Sequence, residues 1–493
     1  MKLPNIQVGF QVFVSDGGQE VGAVRQVAPF GRPELEIYIE NAGDFLVPSP
    51  RSPRCTTTRS FWITRSSIRR CGTRSRTRMT PKSRGSDEAR SRVPFSRRAL
   101  LKASAASALA LPAACAGTIR TAPDPVLFSL LARSGVIPVG VARSPLGASR
   151  GAREQAIEAI GGLPWLSRGD RVLLKVASNS GNQHPAVTSP ATVEAMAGLL
   201  RDAGAREVVV ADQAGVGHVR RTESFRASST AALMQRNGIA AAALRGGAKL
   251  VCFDELEWNE HERVRLDFES PWGDELRLPR PVLESDHIVY LPRISAHVLA
   301  GYTAGAKIAV GFLRDDARLA LHQRASTFFE RVADINHVAP LRDRLRLVVT
   351  AGEAALLDIG PDVGSTRPWG DVVAIAATSV VDHDRLVSAM IPWLDRSDTS
   401  IFDVYSPYPR HADWHNRSFV KATWGESALA SYEPLIAAPL GLTSVANDAT
   451  LARSSRLLGR RPGKLALVQR GDGLPAALLA HLRAVLGDDL VES

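Results

Sequence analysis

Cysteine is scarce in this 493-residue chain, with four residues at positions 55, 71, 115 and 252. Thiols so few and so scattered exclude a disulfide scaffold, a zinc ribbon and a ferredoxin-type iron–sulfur cluster. No apolar run approaches the roughly 18 residues a membrane-spanning helix needs, so no transmembrane helix is expected. G-x-S-x-G, P-loop and complete G-x-G-x-x-G patterns are also missing. That removes the usual sequence anchors for serine hydrolase, nucleotide-hydrolysing and dinucleotide-binding chemistry. What the chain does have is 45% hydrophobic residues, enough to fill globular cores. Its length predicts about two to three domains.

Acidic residues are missing from one stretch in particular. Residues 51–78 contain nine arginines and no Asp or Glu. The formal charge of +11 divides as −3 over residues 1–50, +11 over 51–92, +3 over 93–117 and 0 over 118–493. The large C-terminal part is therefore balanced, and no nucleic-acid partner is expected for it.

The first hundred residues read as several pieces. Over residues 7–47, β-branched and aromatic runs are broken by Asp16-Gly17-Gly18 and Gly31-Arg32-Pro33, which predicts a small β-module. Its strand–"DGxxVG"–strand order resembles the PRC-barrel-like families. The module is expected to end near residue 50, followed by a disordered or frameshifted Arg/Ser-rich segment over 51–92. The frameshift reading joins two adjacent reading frames, with Met79 the natural start of the second.

Ser96-Arg97-Arg98-Ala99-Leu100-Leu101-Lys102 matches the twin-arginine export pattern, and an Ala-rich run follows to Ala114. Residues 93–117 thus read as a signal peptide. Translation from near Met79 implies the twin-arginine translocase as a partner and a periplasmic destination, with Cys115 an alternative lipid-anchor position.

Residues 118–493 read as an α/β domain with a core at about 135–395 and a C-terminal extension over 396–493. Short apolar strands are predicted at 172–176, 207–212, 249–253, 286–291, 345–350 and 372–377. Helices are predicted at 189–203, 228–237, 303–312, 326–336, 382–394 and 474–486, with a hairpin over 262–278. Strands alternating with helices imply a doubly wound, largely parallel sheet. Ligands of such sheets sit beyond the carboxyl ends of the strands. The polar residues falling there are Asn179 to His184, Asp212 to His218, Arg293, His297 and Gly301 to Lys307, with His322 fifteen residues further on. Histidine and lysine at strand ends suit proton transfer or metal ligation. Gly305 and its small neighbours let backbone approach a phosphate or a planar cofactor. His411, Asp413 and His415 alternate as metal ligands on a strand would. Asp382 and Asp384 are expected to cap their own helix, and Cys252 to be packed in its strand.

The segments VLLKVASNSGNQHPAVTSPATVEAMAGLLRDAGAREVVVADQAG, SDHIVYLPRISAHVLAGYTAGAKIAVGFL and LRLVVTAGEAALLDIGPDVGS resemble the domain of unknown function 362 family. Members often carry twin-arginine signals, and some carry iron–sulfur clusters for which this chain lacks the cysteines. Within the second segment, the run from His297 to Lys307 is similar to the nickel-pincer lactate racemase motif H-x-x-A-G-[FY]-[ST]-G-G-x-K, with Ala304 at a position usually Gly.

That resemblance implies Lys307 as the lysine holding a pyridinium-derived nucleotide and His322 as a metal ligand. It implies His218 and His297 as the proton-transferring pair. Arg293 and Gly305 complete the expected cofactor- and ligand-binding set. The activity implied is that of an isomerase or oxidoreductase on a small hydroxy or carboxylate compound. The alternative is a non-catalytic periplasmic binder holding an anion on Arg293 and Lys307.

Overall fold

Alternate residues of the central strands are apolar on both sides, and the computed structural model buries both sides. It describes residues 136–146, 151–297, 299–357, 360–362, 364–395, 421, 425–437, 448–459 and 463–492, together with short strands between residues 11 and 70. The chain divides into two units, Met1–Arg120 and Thr121–Ser493.

In the first unit, β1 (Gln11–Phe13), β2 (Glu20–Val27), β3 (Glu34–Ile39), β4 (Gly43–Pro48), β5 (Ser60–Trp62) and β6 (Arg69–Arg70) form one sheet in the order β5-β1-β2-β3-β4-β6. The first four strands fall where alternation predicts strand structure or just beyond it. The last two fall within the stretch from residue 51 that the sequence reads as a disordered or frameshifted segment. Ser60-Phe61-Trp62 carries two aromatic, β-favouring residues inside an Arg/Ser-rich stretch, and it pairs in parallel with β1. Met79, Arg97, Arg98 and Cys115 lie outside the described residues.

The second unit is built on a mostly parallel mixed sheet. Its strands are β7 (Val136–Ser144), β8 (Arg171–Val176), β9 (Glu207–Asp212), β12 (Lys249–Cys252), β15 (His287–Leu291), β18 (Leu345–Leu357), β19 (Ser365–Ala377), β20 (Lys464–Gly471) and β21 (Leu490–Glu492). Their order is β12-β9-β8-β15-β18-β19-β7-β20-β21. Only β19 among these runs against its neighbours, antiparallel to both β18 and β7. Two small antiparallel pairs stand apart from this sheet: β10 (Arg220–Arg221) with β11 (Arg226–Ala227), and β13 (His261–Arg265) with β14 (Glu275–Pro279). The second pair is the predicted hairpin. A short ribbon, β16 (Ser295–His297) with β17 (Gly301–Thr303), joins the far end of β18 through Ser295 and Leu356.

The strand faces divide cleanly between two helical layers. Val172, Leu174, Val208, Val210, Val289 and Val349 pack with helices α1 (Gly151–Glu158), α2 (Pro190–Asp202), α3 (Thr230–Asn237) and α4 (Ile239–Arg245). Leu173, Val209, Ile288, Tyr290 and Val348 face the other way. They pack on α5 (Gly305–Ile308), the 3-10 turn Ala309–Phe312 and helix α7 (Ala325–His337). Helix α6 (Asp315–His322) precedes α7. At β7 and β19, Val141, Val373 and Ile375 pack on α8 (Val380–Asp395) and α9 (Ala476–Leu486). Burial on both faces is why these strands read as continuous apolar runs.

Two predicted elements come out differently. The helix expected over 303–312 is a strand to Thr303, then α5, then the 3-10 turn. The strands expected at 345–350 and 372–377 are each 13 residues long and form a hairpin. Cys252 is buried, and burial pushes its thiol up, as a packed cysteine requires.

Candidate functional site

Adjacent strands β9, β8, β15 and β18 end along one edge of the sheet, and the polar loops that follow them meet there. The foundation is an ion pair. Lys175 lies inside β8 and Asp212 closes β9, with Lys175 Nζ 2.5 Å from Asp212 Oδ1 and both side chains buried. Asp212 Oδ2 accepts the Ser178 N–H at 2.6 Å, and Lys175 also donates to the Val176 carbonyl at 2.9 Å. A buried pair of this kind survives only when its remaining bonds are made. Here the pair fastens the ends of two strands together.

Above it, Asn179 bridges two groups of opposite charge. Its Nδ2 donates to Asp362 Oδ1 at 3.1 Å, and its Oδ1 accepts from Arg293 at 3.4 Å. Asp362 Oδ2 lies 2.9 Å from His218 Nε2, and Asn182 Nδ2 donates to the Asp362 carbonyl at 2.9 Å. The His218 turn is folded onto Asn179 by the Gly215 N–H, which donates to the Asn179 carbonyl at 2.9 Å. Burial opposes ionisation of Asp362, yet the His218 ring, the Arg293 guanidinium and the Asn179 amide outweigh it and hold the carboxyl below its usual range.

Arg293 is buried. It donates to the Pro361 carbonyl at 2.9 Å, while its Nε has no protein partner among the described residues. Burial lowers its pKa to about 10, against the pull of Asp362 and Asp212.

A second group gathers around Lys307. Burial, with Arg318 and Arg293 nearby, lowers the pKa of its amine to about 7. Its Nζ stands 5.5 Å from the centroid of the Phe328 ring, and the His322 ring lies 5.7 Å from that same ring. His322 Nδ1 contacts the Arg318 carbonyl at 2.7 Å, which makes Nδ1 the protonated nitrogen and Nε2 the one bearing the lone pair. Burial and the neighbouring Lys307 bring its pKa to about 3, so the ring is neutral.

His297 has the opposite tautomer. Its Nδ1 accepts from the Leu299 and Ala300 N–H groups at 3.1 and 3.2 Å, leaving the proton on Nε2. Burial, Lys307, His322 and Arg293 together push it well below the ordinary histidine range.

Of the residues singled out in the sequence, His218, Arg293, His297, Lys307 and His322 thus collect around one place, linked through Arg293. Gly305 has a protein partner of its own. Its N–H donates to Asp384 Oδ1 at 2.7 Å and the Ala306 N–H to Asp384 Oδ2 at 2.8 Å. A side chain at 305 would come within 2.8 Å of that carboxylate. Glycine is needed there for close packing against Asp384, and its N–H is not available to a cofactor.

Asp384 likewise caps α5 rather than its own helix, which already begins at Val380. His383 supports it, with Nδ1 2.7 Å from Asp384 Oδ1 and Nε2 2.9 Å from Thr350 Oγ1. His411, Asp413 and His415 lie outside the described residues. Among the described residues, no group of three or more His, Cys, Asp and Glu side chains is arranged to hold a metal ion, and no helix is long and apolar enough to cross a membrane.

Sequence reasoning passed over Asp362, Arg318 and the Lys175–Asp212 pair. The last did leave a signal: Lys175 in VLLKV and Asp212 at the end of EVVVAD each place a charge where the neighbouring residues are buried. Asp362, in Gly-Pro-Asp, reads as turn chemistry.

Residues 172–389 match the family model described as a domain of unknown function, DUF362. The DUF362 segment contains all of the site residues named above, from Lys175 to Asp384. No curated protein matches the chain. Among solved structures, the lactate racemase apoprotein of Thermoanaerobacterium thermosaccharolyticum is similar at a TM-score of 0.31 and 13% identity, covering 66% of this chain and 85% of that one. A structural-genomics protein from Thermotoga maritima is similar at a TM-score of 0.27 and 12% identity, covering 39% of this chain and 48% of that one.

Proposed function

We propose that the DUF362 segment forms the active site of an isomerase or oxidoreductase that moves a proton on a small hydroxy or carboxylate compound. The observation carrying this reading is the gathering of two histidines and a low-pKa amine around Arg293: His218 with Nε2 on Asp362, His297 with Nε2–H, and Lys307. Proton transfer needs groups that give and take at neutral pH. The buried, unpartnered Nε of Arg293 supplies a hydrogen-bond donor and a positive charge for a carboxylate. In this reading His218 and His297 exchange the proton with the substrate while Arg293 holds it.

The residues also fit the nucleotide that the sequence resemblance implies. An amine with a pKa of about 7 has its lone pair available for a pyridinium-derived electrophile, and a neutral imidazole is the form a metal binds. Lys307 would hold the nucleotide and His322 the nickel. When bound, the group would supply a hydride acceptor next to the substrate carbon.

Protein purified from its native host, incubated with single enantiomers of short 2-hydroxycarboxylates, tests the reading. Interconversion, with a mass adduct on Lys307, is expected; neither enantiomer changing would overturn it. The second reading, a non-catalytic anion binder, is favoured by the same Arg293 Nε. Lys307→Ala separates the two, because an enzyme loses turnover while a binder only weakens.

We also propose that the protein is exported by the twin-arginine route from a start near Met79. A change of Arg97 and Arg98 to Lys is expected to leave it in the cytoplasmic fraction. Unchanged periplasmic recovery would refute this.

A further inference from the structure

The His218–Asp362 contact has no counterpart in the residues that the motif resemblance assigns. Asp362 comes from the β18–β19 connection, whereas His218 follows β9, so two distant parts of the chain are needed to form it. The carboxylate is held on several sides. Asn179 Nδ2 bonds Oδ1 at 3.1 Å, His218 Nε2 lies 2.9 Å from Oδ2, and Asn182 ties the Asp362 carbonyl at 2.9 Å. The Asn179 amide cannot turn over without setting its NH2 against the Arg293 guanidinium and its oxygen against Asp362. Both oxygens of an ionised carboxylate accept, so the nitrogen of His218 that faces it must donate.

We infer that Asp362 is a positioning residue that fixes His218 as the Nε2–H tautomer and so makes Nδ1 the atom that takes the proton. The inference rests on the proposed role of His218 as one of the proton-transferring pair. His218 Nδ1 has no hydrogen-bond partner among the described residues, and the side chain is 26% exposed. In the step, the lone pair on Nδ1 forms an N–H bond with the substrate's proton. The electron pair of the broken bond stays on the substrate, and the imidazolium formed is held by Asp362. His297 carries its proton on the other ring position, Nε2, and so presents a hydrogen-bond donor there rather than a lone pair. The two histidines are therefore not interchangeable before substrate binds.

The test is the tautomer itself, read by long-range proton–nitrogen correlation on protein labelled with 15N-histidine, with His218→Gln identifying the signal. The neutral His218 ring is expected to be protonated on Nε2 in the wild type, and to lose that preference in Asp362→Asn. Turnover of a 2-hydroxycarboxylate probe should fall about a hundredfold or more in Asp362→Asn, mostly in kcat, with no further loss when His218→Gln is added.

An Nδ1–H tautomer in the wild type overturns the inference, and so does an Asp362→Asn protein that keeps the wild-type tautomer. The wild-type spectrum decides even if the variant fails to fold. Absence of turnover in the wild type would instead remove the proposed activity and leave the tautomer result standing.

Discussion

Lys307 stands over the ring of Phe328, with Nζ 5.5 Å from the centroid and no carboxylate among the groups that shift its pKa. A ring face offers far less stabilisation to an ammonium than a carboxylate does. Burial, helped by the nearby Arg318 and Arg293, therefore decides the balance, and the amine loses its proton at about pH 7. Labelling at an amine requires the neutral form. Lys307 should therefore react with an acylating reagent to half its plateau near pH 7, whereas an ordinary ammonium does so above about pH 10. Peptide mass spectrometry across pH 6–10 measures this. A midpoint for Lys307 above pH 9 would show that the amine is not depressed.

His261 predicts acid sensitivity away from the site. It is fully buried, both ring nitrogens lack partners among the described residues, and burial with Arg221 and Arg314 lowers its pKa to about 4. The unfolded chain takes up this proton near pH 6.5 and the folded one only near 4. Between those values the unfolded state binds more protons, so stability falls as pH falls. The contribution is on the order of 3 kcal/mol at most. His261→Leu should flatten the stability profile between pH 6.5 and 4, as measured by urea unfolding. An unchanged slope would contradict this.

Gly311 packs against the buried ion pair so closely that a methyl group there would overlap Asp212 Oδ1 and Lys175 Nζ. Gly311→Ala should cost on the order of 3 kcal/mol, since neither partner can move without breaking the other's bonds. Asp212→Ala should cost at least as much, because it leaves an uncompensated ammonium in the core. Both are checked by denaturant midpoints, and near-wild-type midpoints would mean that the pair is not rigid.

Asp384→Asn tests the support beneath α5. It exchanges a carboxylate taking two backbone N–H bonds and a histidine contact for an amide with one acceptor oxygen. A stability loss of about 1–3 kcal/mol is expected. The labelling midpoint of Lys307 should move as well, because α5 carries that lysine. A loss of stability with no change in the Lys307 midpoint would mean that the cap holds the fold but not the site.

The alternation of strand and helix, and the polar residues at strand ends, were legible in the sequence. Runs such as VLLKV and EVVVAD are apolar on both faces, and the first residues after such strands must leave the core. That argument located His218, Arg293, His297 and Lys307 without any distance. It did not locate Asp362, because Gly-Pro-Asp carries the same composition whether it merely turns the chain or delivers a carboxylate. Nor did it identify Asp384 as the cap of α5, a bond between residues 79 positions apart. Propensity for the Gly305 region favours a long helix, but the local β16–β17 ribbon and the tertiary carboxylate cut it short.

The reversed strand β19 has a consequence for how such a protein can change. The other neighbouring strand ends at the site are joined by long crossovers, whose helices are built into the two outer layers, so altering one disturbs the core. The β18–β19 hairpin returns on the same edge without crossing the sheet, and it carries Asp362. New residues can be admitted there, or old ones removed, while the helical layers stay as they are. Relatives that act on other molecules should therefore differ most at this turn, and exchanging it between them offers a direct route to transplanting specificity.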